Sequence, residues 1–509
     1  MPKASVLVLL AATITLGCRP PGVDGTKGPS DLQEDTAPTD DTGRQPNPDD
    51  EPPVAVVAMP ASARVGQAVS LDGSGSSDPQ GYELTDYAWS CSDGSTASGQ
   101  VAELVFDTPA SLECSLEVTS ASGLSAQASA PLEVMDQSTA EWTFMVFVAG
   151  DNNLEDAALG DVNEMERVGS TDQVNILVQL DRSRSYTSAD GDWSGSRRYR
   201  IEQDSSTNSI GSTVLEDLGS TDSGDPDTLA EFATWGIQNY PAERYALVIW
   251  NHGWGWDLTI AGGTKGVASD DGTGNDISVA RGELAEALAT VTGAIGAPLD
   301  LLGMDACLMG SWEVGYAAAP YADTYVASQA SEGLDGWAYD TAMADLIADP
   351  TMSAATLGGF IAQRFNESHD STQSVVDLTV AAELAAALDE LALAMMNTGQ
   401  PSDLLDDGAD RAQDFEHGWG QDHDLGDFLD ELEDSSAADD AVLSAIELVR
   451  EVYGRSVLAN YTWGNDVRDA TGISIYTPTY GRVDSDYTRG TWADETLWDD
   501  FLDQARSGN

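Results

Sequence analysis

Two stretches, Tyr245–Trp256 (YALVIWNHGWGW) and Leu299–Gly310 (LDLLGMDACLMG), decide how the chain is read. Each is an apolar run ending in a reactive side chain, His252 in the first and Cys307 in the second. Such a run is the pattern of a strand buried on both faces of a parallel sheet, and open α/β sheets carry their chemistry just past the carboxyl ends of their strands. An imidazole and a thiol are therefore expected at one sheet edge. There the imidazole can accept the thiol proton, the thiolate can attack an amide carbonyl, and the imidazolium can protonate the leaving amine. Gly253, with no side chain, lets backbone N–H approach a substrate carbonyl, so Gly253 and the Cys307 N–H are the candidate oxyanion hole.

Further strand-like runs flank these two, at Trp142–Ala149, Val174–Asp181, Thr324–Gln329 and Gly472–Tyr476. Helical patterns fall between them. The clearest begins at Asp225 as N-cap with Pro226 in first position and aligns Leu229, Phe232, Ala233, Gly236 and Ile237 on one face. Another places Leu384, Leu388, Leu391 and Met395 at helical spacing. The alternation predicts an α/β domain over residues 136–509, a mostly parallel sheet covered by helices on both faces. His369, His417 and His423 lie in polar segments, His417 and His423 flanking GWGQD on what reads as a surface loop, and the chain has no HExxH, paired Cys/His zinc spacing, G-x-S-x-G elbow or P-loop.

The runs WTFMVFVAGDNNLEDAALGDVNEME, NYPAERYALVIWNHGWGW, LDLLGMDACLMGSWEVGY and SEGLDGWAY resemble the clostripain family of cysteine peptidases, in order and across about residues 140 to 480. The resemblance implies a caspase-like fold, Cys307 as nucleophile, His252 as catalytic base and acid, and cleavage of protein or peptide substrates after Arg or Lys. Asp305, two residues before the nucleophile, and Asp335 in LDGWAY are candidates to bind that basic side chain. For Asp305 the bland alternative is an N-cap of a helix starting near Leu308. The family's maturation by cleavage after a basic residue points to Lys265-Gly266, because Lys265 is the only lysine beyond Lys27 and lies in a Gly-rich loop between His252 and Cys307. The family's frequent calcium requirement directs attention to Asp270, Asp271 and Asp276, or to Asp190 and Asp192, without assigning a metal.

The N-terminal quarter reads differently. Residues 1–18 carry Lys3, a short apolar core and Thr15-Leu16-Gly17-Cys18, which resembles a lipoprotein signal ending at a lipidated Cys18. Residues 19–52 are Pro, Gly, Asp and Thr with almost no large apolar side chain, an acidic tether spanning roughly 30 Å as a flexible coil. Residues 53–135 alternate apolar and polar in short runs, the pattern of a β-sandwich. Ser77-Asp78-Pro79 and Tyr87-Ala88-Trp89 resemble an Ig-like domain of the polycystic-kidney-disease type. Cys91 and Cys114 fall in two of its strands and are expected to be bridged in an exported protein. Of four cysteines that leaves Cys307 as the free thiol.

With 22 Lys and Arg against 87 Asp and Glu, a formal charge of −65 leaves no basic face for nucleic acid. The expected location is an outer-membrane or cell-surface lipoprotein held only by its lipid, with a secreted form as the alternative. Two other functions compete with a basic-specific peptidase: an adhesion or scaffold lipoprotein whose peptidase-like domain is inactive, and an asparaginyl or aspartyl cleaver on the same fold. Asp305 disfavours the latter.

Overall fold

The computed structural model describes residues 50–135, 139–256, 259–260, 263–264, 266–367, 369–415 and 421–507. The signal segment with Cys18, nearly all of the tether, Lys265 and His417 lie outside them. The chain divides into two units, Met1–Asp136 and Gln137–Asn509. No helix among the described residues is long and apolar enough to cross a membrane.

The first unit pairs a five-stranded sheet with a two-stranded one, Ala68–Asp72 against Val101–Val105. Alternate residues of its longest strands turn inward, so Leu71, Trp89, Leu116, Val118 and Leu132 form the core. Cys91 and Cys114 stand directly opposite on neighbouring antiparallel strands and are joined by a disulfide.

The second unit is built on a nine-stranded sheet. Its strands in chain order are β1 (Ala140–Gly150), β2 (Val174–Arg182), β3 (Gly195–Arg200), β4 (Val214–Gly219), β5 (Ala242–Trp250), β6 (Leu299–Asp305), β7 (Ala322–Ala327), β8 (Thr372–Asp377) and β9 (Val457–Thr462). The spatial order is β4-β3-β2-β1-β5-β6-β7-β8-β9. The five strands from β2 to β7 run parallel, and both flanks are antiparallel. Residues alternate between two separate cores. Phe144, Val146 and Val148 of β1 meet helices Glu155–Glu166, Tyr339–Ala348 and Ala354–Asn366 on one face. Met145 and Phe147 meet Pro226–Asn239, and the same face covers Glu283–Ile295 and Ala381–Asn397. Helix Pro226–Asn239 starts where Asp225 accepts from Asp227 N at 3.0 Å, and it buries Leu229, Phe232, Ala233, Gly236 and Ile237. A side chain at Gly236 would collide with Met145 Sδ at 2.6 Å, so the glycine sets how closely this helix lies on β1.

Two boundaries differ from the sequence reading. Strand β7 ends at Ala327, and Ser328 and Gln329 turn away to bond Thr372 and Asp424. Ser474–Tyr476 does not enter the large sheet; it pairs with Asp422–Asp424 in a separate ribbon. That ribbon also corrects the placement of His423, which is no surface residue. It is 4% exposed, its Nδ1 lies 2.8 Å from Thr477 Oγ1, and burial pushes its pKa down to about 4.

Candidate active site

Strands β5 and β6 are parallel neighbours, and Trp250 is the register partner of Asp305. His252 and Cys307 each lie two residues past that pair. Imidazole and thiol therefore leave one sheet edge from adjacent strands, whose axes run roughly 4.8 Å apart. Asn251 N closes the ladder on Asp305 O at 3.2 Å.

Cys307 occupies a tight turn. The next residue, Leu308, has φ of +64°, a left-handed conformation that costs a non-glycine residue roughly 1–2 kcal/mol. Its N–H is held by Ala330 O at 3.1 Å. The thiol is half-buried, and Glu332 N donates to its Sγ at 3.2 Å. Burial pushes the Cys307 pKa up, and the Glu332 N–H and Ser331 hydroxyl oppose that shift. Cys307 N donates to no backbone carbonyl among the described residues.

His252 shifts the other way. Burial lowers its pKa, against a smaller upward pull from the Asp271 charge. Its Nε2 lies 2.9 Å from Asn153 Oδ1. An amide oxygen only accepts, so Nε2 carries the hydrogen and Nδ1 keeps the lone pair that can take a proton. Buried Asn152 fixes the loop that presents Asn153, donating to Ala149 O at 2.7 Å and Ser269 O at 2.9 Å. Sequence reading missed Asn153. Its signal was the polar pair Asn152-Asn153 directly after β1, at the edge where the chemistry was expected. Asn153→Ala is expected to lower kcat about tenfold, or 1.4 kcal/mol, with little change in KM. Asn153→Asp, which retains the acceptor, should recover most of that loss; equal losses in both would show that Asn153 does not orient the ring.

Gly253 packs directly on the turn that carries the thiol. A Cβ there would fall on the Cys307 carbonyl oxygen and lie 2.9 Å from both Ala306 Cβ and Met309 Cγ.

Asp305 does not cap a helix. The helix that follows runs Trp312–Ala318 and is capped by Ser311, whose Oγ accepts from Val314 N at 3.3 Å. Asp305 is 4% exposed and accepts from Tyr339 OH at 2.8 Å and Trp337 N at 3.2 Å. Asp161, from helix Glu155–Glu166, faces it across Gly336, where an added Cβ would lie 2.7 Å from Asp161 Oδ2 and 3.2 Å from Asp305 Oδ2. Beside this pair opens a cleft of about 610 Å³ lined by Asp161, Glu164, Asp335 and His369. Asp335 is exposed on its wall. Asp161 and Glu332 were not foreseen, because a lone acid in a helix and another in a loop carry no spacing that links them to Cys307.

The segment after Lys265 is a buried ribbon rather than a loop. Val267–Asp270 pairs with Asn275–Ile277, Gly266 is buried, and Ser269 N donates to Asn251 Oδ1 at 3.0 Å. Its acids are engaged by the protein. Asp270 accepts from Ser223 N at 3.0 Å and Thr273 N at 2.8 Å, and Asp271 accepts from Tyr186 OH. Asp276 lies 3.9 Å from Arg281, and Asp190 accepts from Trp193 Nε1 and Ile210 N. Among the described residues no three His, Cys, Asp or Glu side chains are placed to hold a metal ion.

Residues 146–504 match the model of the clostripain family. The chain belongs to the clostripain family. Residues 50–135 match the PKD domain. Clostripain of Hathewaya histolytica is 28% identical over 309 residues, which cover 52% of this chain and 58% of that protein's length. Two solved structures share the clostripain-family fold over 72% of this chain and 99% of their own. One is a secreted C11 cysteine protease from Bacteroides thetaiotaomicron in complex with an irreversible peptide inhibitor, 21% identical with a TM-score of 0.52. The other is an inactive zymogen C11 protease from Parabacteroides distasonis, 22% identical with a TM-score of 0.53.

Proposed function

We propose that this clostripain-family protein is a cysteine endopeptidase that hydrolyses peptide bonds after Arg or Lys, with Cys307 as nucleophile and His252 as general base and acid. The observation that carries this reading is the placement of His252 and Cys307 two residues past one register pair of adjacent parallel strands. Nδ1 of His252, left unprotonated by the Asn153 contact, accepts the thiol proton as Sγ attacks the carbonyl carbon. The Cys307 and Gly253 N–H groups receive the developing oxyanion, and the His252 imidazolium then protonates the leaving amine. Water repeats the cycle on the thioester. Asp305, Asp161 and Asp335 supply negative charge for the basic side chain before the scissile bond.

In the same reading residues 1–18 direct export, Cys18 carries lipid, residues 19–52 form the tether, and residues 53–135 form a spacer ahead of a peptidase domain over 136–509. The protein cleaves itself at Lys265-Gly266. The ribbon after that bond is tied to Asn251, so the two chains stay associated after the cut, and scission requires Gly266 to open from its buried place. Intact mass of purified wild type beside Cys307→Ala tests cysteine dependence and basic specificity together. Wild type is expected as two fragments whose junction is Lys265-Gly266, and the variant as one chain. Fragments in both, or one chain in both, would overturn self-processing.

A further inference from the structure

The acidic cleft that Asp161 lines holds more carboxyl groups than a basic side chain needs, and its one lining arginine, Arg167, sits at the outer acids Glu164 and Asp340. Asp161 is 3% exposed and bonded through one oxygen, accepting from Trp250 Nε1 at 2.6 Å. Its other oxygen has no hydrogen-bond partner among the described residues, and Asp161 lines the cleft. Asp305 faces it across Gly336. Both carboxyl oxygens of Glu332 are sealed from solvent, and they lie within reach of the Trp337 side-chain N–H and of the Asp305 carboxyl. Two carboxyl groups in contact can bond only through a shared proton.

The charged neighbours relieve this crowding only in part, through the His369 charge, which favours ionised Asp305. From the same helix as Asp161 come Glu164 and Arg167, and Arg167 is taken by Asp340 at 2.6 Å and Glu164 at 3.5 Å. Asp335 adds another acid to the wall. His369 faces the cleft from beyond Phe365, its Nδ1 at 3.1 Å from the Phe365 carbonyl and its ring against Gly333. Burial, and after it the charge of Asp305, push Asp161 and Glu332 well above the usual carboxylate range.

We propose that Asp161, Asp305 and Glu332 form one specificity unit that holds a proton while the cleft is empty and releases it to solvent when a guanidinium or ammonium group enters. Asp161 is the member that meets the ligand, and Glu332 stores a proton against Asp305. Recognition of a basic side chain is then an exchange of protons for the ligand's charge, so affinity rises with pH while that of a neutral analogue does not. The inference rests on reading the cleft as the pocket for the basic residue.

Isothermal titration of wild-type enzyme with n-butylguanidinium, beside neutral n-butylurea, tests it at pH 7 in two buffers of different ionisation enthalpy. The expected result is release of roughly one proton or more per guanidinium bound and none with the urea. Asp161→Asn should weaken guanidinium binding at least about tenfold and leave the urea unchanged. Tighter guanidinium binding with no buffer dependence would overturn the proton exchange and leave the pocket reading intact. Equal binding of the two compounds would overturn both.

Discussion

His252→Ala is expected to lower kcat for a basic peptide by about a thousandfold or more, close to 4 kcal/mol, while Cys307 remains open to alkylation. The size follows from the resting state of the pair. Burial raises the thiol and lowers the imidazole, so both are held neutral and the nucleophile must be generated by proton transfer during the reaction. The pH dependence has a definite sign. A lowered histidine pKa keeps the neutral base available as pH falls, so the acid limb of kcat should lie below about 6.5, the ordinary histidine value. The limb of kcat is the informative one, because kcat/KM also carries the titration of the empty cleft. An acid limb of kcat above neutrality, or a His252→Ala variant within tenfold of wild type, would contradict the assignment.

Gly253→Ala is expected to cost about a hundred- to a thousandfold in kcat, with the fold retained. A methyl group at this position falls on the Cys307 carbonyl oxygen and presses on Ala306 and Met309. None of these atoms is the mobile tip of a long side chain. Relief must therefore come from moving the turn that carries the thiol or the N–H groups meant for the oxyanion. KM should change less than kcat, since Gly253 packs on Ala306 and the Cys307 carbonyl rather than on a carboxyl group. A normal kcat, checked beside an unaltered thermal transition, would show that neither the thiol nor the oxyanion donors depend on this contact.

The parallel centre of the sheet was legible because its strands are buried on both faces, which leaves uninterrupted apolar runs such as those of β1, β2 and β5. The flanks were not, for the opposite reason. β3 reads GSRRYR and β4 reads VLEDLG, polar sequences held by cross-strand pairs such as Arg197 with Asp217 and Arg198 with Glu216. Trp193 adds its ring face to the Arg197 guanidinium, at 4.0 Å. Nothing in hydrophobic period marks such strands. At the site, His252, Cys307 and Asp305 were visible as residues at strand ends. Asn153, Asp161 and Glu332 reach the same place from a loop, a helix and another loop, so only tertiary contact joins them. His423 was misplaced because its polar neighbours Asp422 and Asp424 suggested surface, whereas Asp424 is buried against Thr471 and Gln329.

The most direct test is digestion of a positional peptide library by wild type and by Cys307→Ala. Cleavage after Arg and Lys by the wild type, and its absence from the variant, is the expected result. Cleavage that persists without the Cys307 thiol, or that falls after Asp or Asn, would contradict the account.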